Sequence, residues 1–220
     1  MPTAAELKIR LRQQYHGDPP ESWRVRLHRA LSWLARAEQE TDDLDARFVF
    51  QWIALNAAYA SELGRQEGER ARFQHFVDEL VVLDAPGRLH DALFRQFTGP
   101  IRVLIENRHV YEPFWTALRT HDSSDQWEAS FAGARRLATA AILDRDTRTV
   151  LSIVFDRLYV LRNQIVHGGA TWNSRVNREQ LRDAVAILGA LLPALLDIMI
   201  AHPQHDLGGV LYPVVSGAVA

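Results

Sequence analysis

The chain has 220 residues, 47% of them apolar and 24% charged, a length and balance that suit one large globular domain with a sizeable core. It has no cysteine, which excludes disulfides, thiolate zinc sites, iron–sulfur clusters and cysteine nucleophiles. A net charge of −2 argues against a whole-surface nucleic-acid binder, and Lys8 is the lone lysine among 25 basic residues, so lysine-dependent chemistry has almost nowhere to go.

The N-terminal stretch carries Glu6, Lys8, Arg10 and Arg12 and has no apolar h-region, which predicts no secretory signal and a cytoplasmic protein. Residues 22–40 place Trp23, Leu27, Ala30, Leu31, Leu34 and Ala37 at helical spacing, with arginines and glutamates between them. Arg10, Arg12, Arg24, Arg26 and Arg29 read as a solvated helix face, with a basic patch as the alternative. Thr41, Asp42 and Asp43 open a second helix, since acids favour the positive end of the helix dipole. That helix carries FVFQWIALNAAYA, runs to about Gly64, and sets Phe48, Trp52, Leu55 and Tyr59 on a core face. Asn56 sits among them and reads as a satisfied buried amide, with the six tryptophans mostly core by pattern. A third helix spans 68–83, and shorter ones are predicted at 87–97, 100–106 and 110–119, separated by Gly99-Pro100 and Asn107. Another follows from about 125 to 143.

Two helices are the clearest. One runs from Thr147 to Val166 and stops at Gly168-Gly169, glycines being the usual left-handed end signal. The other runs from Arg178 to Ala201 before His202-Pro203. Its uncharged stretch, Ala184–Leu196, is too short to span a bilayer comfortably and reads as a core or interface helix, so no membrane is expected. The tail, with Gly208-Gly209 and LYPVV, is extended at most. The expectation is one all-α bundle over residues 1–220.

Phosphate-loop, dinucleotide, zinc-protease and nucleophile-elbow motifs are all missing. His202, His205 and Asp206 cluster in sequence, as do His121 and Asp122, but they read as surface polar residues; no metal and no cofactor is expected.

The chemistry concentrates at the end of the penultimate helix. Val150, Val154, Leu158, Leu161 and Ile165 turn one face inward. Asp156, Asn163 and His167 fall on one stripe, and Arg162 lies about 140° round from His167. A regular helix does not aim Arg162 and His167 at one small target. Either the glycines unwind the helix end, or a second chain supplies part of the site. Arginine offers a planar fork of donors for phosphate oxygens, and histidine titrates near neutrality. The pair suits attack of an RNA 2′-hydroxyl on its neighbouring phosphate, a cut that leaves a 2′,3′-cyclic phosphate. Helix-dipole preference alone also places Arg and His near a helix C-terminus.

Arg162-Asn-Gln-Ile-Val-His167 resembles the Rx4–6H motif of the HEPN superfamily, including the polar Asn163 directly after the arginine. RFVFQWIALNAAYA, residues 47–60, is similar to the early HEPN helix, and LRNQIVHGGATWNSRVNR with the final LYPVV looks like a group of bacterial HEPN-like proteins. The likeness covers residues 45–215. It implies an all-α fold and a metal-independent endoribonuclease, often a toxin or defence effector, working as a two-fold homodimer with both motifs in one cleft. Arg162 and His167 would be the catalytic pair, and Asn163 would orient His167 or contact phosphate. Where several HEPN groups carry a glutamate on the early helix, this chain has Asn56. The resemblance also allows a non-catalytic dimerisation or binding module, or a toxin held by an antitoxin or other regulatory partner. Beyond the motif, Trp172 suits stacking on a base, and Asn173, Arg175 and Arg178 suit the RNA backbone; the bland reading is a packed loop and a well-started next helix. Asn56 and Asp156 are supporting residues.

Overall fold

A computed structural model describes residues 1–14, 19–60 and 68–214. Among these the fold is all-α, with ten α-helices and no strand: α1 (Ala4–Gln14), α2 (Glu21–Glu38), α3 (Leu44–Tyr59), α4 (Glu69–Leu83), α5 (Arg88–Asp91), α6 (Thr98–Glu106), α7 (Glu112–Thr120), α8 (Gln126–Leu143), α9 (Thr147–Val166) and α10 (Arg178–Ala201). A π turn over Ala92–Gln96 continues α5, and a 3₁₀ turn over Arg108–Val110 precedes α7.

Helix α10 is the axis of the molecule. It packs against α1, α2, α3, α4, α5 and α6. It is long and apolar enough to cross a membrane by length and composition, and 83% of its most apolar window is buried inside the bundle. The charge at Asp197 does not leave the core; it is 7% exposed and takes Arg10 at 2.9 Å and Arg88 at 3.0 Å. Two cations thereby offset the cost of burying one carboxylate.

Helices α2 and α3 form a tight hairpin with the expected apolar faces inward. Asp43, rather than Thr41, caps α3 by accepting the Ala46 N–H at 2.9 Å. Helix α3 leaves helical geometry at Ala60, where ψ is 119°; Gly64 lies outside the described residues. Helix α1, which the sequence reading passed over, lies across α2 and α10 and buries Ala4 and Leu7. Helix α6 begins at Thr98, so Gly99-Pro100 falls in its first turn, where proline's missing N–H costs nothing.

Arg26 departs most from the solvated-face reading. It is 1% exposed, and its Nη1 donates to the carbonyls of Ala58 at 3.0 Å and Ala60 at 2.7 Å. Its Nη2 donates to Leu207, Gly208 and Gly209 at 3.3, 3.0 and 3.4 Å. The guanidinium thus caps the end of α3 and clamps the extended tail over it. Burial pulls its pKa down to about 10, which leaves it charged at neutral pH.

Two of the six tryptophans, Trp23 and Trp52, are buried; Trp33, Trp115 and Trp127 are half-buried and Trp172 is exposed. The mostly-core reading therefore fails for this residue type, because several of these indoles sit on the outer helices and loops.

Candidate functional site

Helix α9 is positioned by an aromatic stack. Phe155 lies on Phe73 of α4 with ring centres 3.5 Å apart and on Trp52 of α3 at 5.3 Å, while Tyr159 meets Trp52 at 6.1 Å. Val150, Val154, Leu158 and Leu161 are buried and Ile165 is half-buried, as the spacing predicts. The opposite end of α9 projects from the bundle. Gln164 ties it down by donating from Nε2 to the His109 carbonyl at 2.6 Å, which also accepts Trp115 Nε1 at 2.7 Å.

The helix stays regular to Val166. The His167 N–H donates to the Asn163 carbonyl at 3.0 Å, so the chain has not unwound before His167. Gly168 then takes φ 71°, the left-handed stop. Gly169 fits closely for a different reason: a Cβ there would stand 3.1 Å from the Gln164 carbonyl oxygen, a tight contact. Of the two ways to bring Arg162 and His167 to one target, unwinding of the helix end is not what the structure adopts.

Arg162 is half-buried. Its Nη1 donates to Asn163 Oδ1 at 2.8 Å, and its guanidinium carbon lies 5.8 Å from the Tyr159 ring centre. Its Nε is buried with no protein acceptor. Asn163 therefore holds the arginine rather than His167. His167 is exposed, and its imidazole has no protein partner among the described residues. Asn56 is half-buried with its Oδ1 sealed off and unpartnered, which overturns the satisfied-amide reading; no hydrogen bond joins it to Arg162, Asn163 or His167 among the described residues. Asp156 sits more than one turn up α9, paired with Arg70 of α4. Burial raises its carboxyl above the usual range, with Arg70 pulling the other way.

The loop after the motif is pinned to the start of α3. Trp172, 70% exposed, donates from Nε1 to Asp43 Oδ2 at 3.0 Å. Asn173, at φ 55°, donates its backbone N–H to Asp45 Oδ2 at 3.3 Å, and Arg178 Nη2 reaches the same oxygen at 2.8 Å. Arg178 is thus committed to an ion pair with a carboxylate that is 7% exposed, while Arg175 is exposed. Donation from the Ala46 backbone N–H is the main cause holding the Asp43 carboxyl below its usual range, with the Trp172 bond adding to it.

Sequence reasoning missed Asp45, which anchors the loop, and Arg108 and His109, which Gln164 brings beside the last turn of α9. A paired Asp43-x-Asp45 at a helix start was a weak signal for the first; no local signal announces a contact across 55 residues. Elsewhere, His205 Nε2 lies 2.8 Å from Glu79 and His202 Nδ1 lies 2.9 Å from the Ile198 carbonyl. Asp206 accepts the Gly208 N–H, and Asp122 that of Ser124. No group of three or more His, Asp or Glu converges among the described residues.

Fold and site together define the class: an all-α bundle that presents an arginine, an asparagine and an exposed histidine at one projecting helix end. No family model, no curated protein and no solved structure matches the chain.

Proposed function

We propose that the protein is a metal-independent endoribonuclease of HEPN type, acting as a two-fold homodimer. The observation that carries the reading is Arg162: a guanidinium held by Asn163 at 2.8 Å, with Nε lacking a protein acceptor, beside an exposed His167 at a helix end. One imidazole takes the proton of the RNA 2′-hydroxyl, whose oxygen attacks the adjacent phosphorus. The bond to the 5′-oxygen breaks, a second imidazole returns a proton to that oxygen, and the products are a 2′,3′-cyclic phosphate and a 5′-hydroxyl. Arg162 offsets the charge growing on the phosphoryl oxygens. That role matters here, because the carbonyl end of α9 is the negative end of its dipole and repels phosphate while favouring imidazolium.

The dimer supplies what one chain lacks. Val166 at 51%, Trp172 at 70% and Val176 at 89% exposure leave apolar side chains open in the segment that carries His167, a natural place for a second copy. A two-fold contact there sets one chain's His167 against the other's Arg162. Trp172, pinned by Asp43, then flanks the cleft as a stacking surface, and Arg175 reaches the RNA backbone. Arg178, already paired with Asp45, positions this loop.

Incubation of the purified protein with total RNA in EDTA tests the reading. Cleavage with cyclic-phosphate ends is expected, with Arg162→Ala and His167→Ala each reducing it by roughly a hundredfold or more, as loss of a general acid–base group does. Parent-like cutting by both variants sinks the assignment of the site. A folded protein that cuts no RNA favours the second reading, a non-catalytic binding module using the Trp172 surface, or a toxin subunit whose activity a partner protein controls.

A further inference from the structure

We infer that a cavity on the other flank of α9 is a binding site for a small organic anion with an apolar body. The cavity measures about 510 Å³ and lies between α7, α8 and α9. That is the size of a small-molecule site. Its walls are apolar where Leu137, Ile153, Phe155 and Tyr159 line it. Its one deeply buried charge is Arg157, which is 4% exposed.

Among the described residues, the carboxylates that line this cavity are ion-paired with arginines other than Arg157. Asp156 is taken by Arg70 and Glu112 by Arg119, the latter at 2.6 Å. Arg157 has no carboxylate within ion-pair distance among the described residues. Its guanidinium lies over the Tyr111 ring, 4.4 Å from the centre, with Phe131 at 5.5 Å. Among the described residues its hydrogen bonding is limited to Nη1 and the Val110 carbonyl, at a long 3.4 Å. Arg157 is among the residues that line the cavity. Burial lowers the pKa of Arg157, with Tyr111 and Asp156 pulling the other way. A planar donor fork with an aromatic face behind it matches a carboxylate or a phosphate monoester. The rings and aliphatic walls receive the rest of the molecule. Tyr159 belongs both to this cavity and to the surroundings of Arg162, so the two sites share a wall, but the anion site does not depend on RNA cleavage.

Titration calorimetry with phenyl phosphate and with benzoate, each against neutral benzamide, tests the assignment. At least one anion binds the parent with a dissociation constant of about 1 mM or tighter, and benzamide binds at least roughly tenfold more weakly. Arg157→Met abolishes anion binding, whereas His167→Ala leaves it unchanged. Should Arg157→Met fail to fold, Leu137→Trp keeps the cation and fills the mouth of the cavity from a position 60% exposed, and it too removes binding. Absence of anion binding, equal binding of benzamide, or anion binding indifferent to both variants overturns the site; preference between the two anions separates a phosphate ligand from a carboxylate.

Discussion

Asp43 serves two structures at once. One oxygen caps α3 through the Ala46 N–H, and the other accepts the Trp172 indole from the loop after the motif. Its carboxyl is held below the ordinary value of 3.8, so the charged form is the stabilising one. The stability it adds is present above about pH 4 and is lost as the pH falls through the lowered folded-state value. Trp172 emission should therefore change in an acid titration, and Asp43→Asn should remove that step while an amide oxygen retains most of the cap. Asp43→Ala should cost about 1 kcal/mol at neutral pH. An acid-insensitive Trp172 signal in the parent would show that the indole bond contributes nothing in solution. His167 and Arg162 illustrate a different point at this scale. Their place at the end of α9 was legible from the sequence. That Asn163 grips the arginine was not, because neighbours at i and i+1 meet only when long side chains fold back along the helix surface.

At the scale of elements, the helix ends carry the information. Helices α9 and α10 begin and end where the sequence places them, since their signals are local: an Asp146 cap, a Gly168 stop, a His202-Pro203 break. Helix α3 has no such stop. Its last carbonyls are satisfied by Arg26, a side chain from α2 that also holds Leu207, Gly208 and Gly209. Arg26→Met should cost about 3 kcal/mol, since it strands several buried carbonyls at once. The loss should appear as a lower denaturant midpoint, together with faster hydrogen exchange at the α3 end and in residues 207–209. Exchange unchanged in both segments would mean the clamp is not what holds them. Periodicity put Arg26 on the polar face, and only the docking of the tail explains why that position is closed to water.

At the scale of the molecule, the proposed cleavage site calls for a second copy of the chain. Light scattering should give twice the monomer mass of 25.0 kDa. Val166→Asp, which puts a charge into the exposed apolar segment that carries His167, should yield monomers and abolish RNA cleavage together. A variant that stays dimeric and still cuts would move the interface away from the motif.

The sequence by itself determined the all-α class, the apolar face of each long helix, the buried character of α10 and the residues grouped at the end of α9, because these follow from periodicity and from caps within one turn. Tertiary structure alone decided that Arg26 lies inside, that Asp197 is buried between two arginines, that Asp45 anchors the loop after the motif, and that Arg157 lines a cavity with no carboxylate at ion-pair distance among the described residues. Each of these depends on groups far apart in the chain. The energy of a buried charge is set by what surrounds it in three dimensions, and no local pattern encodes that surrounding.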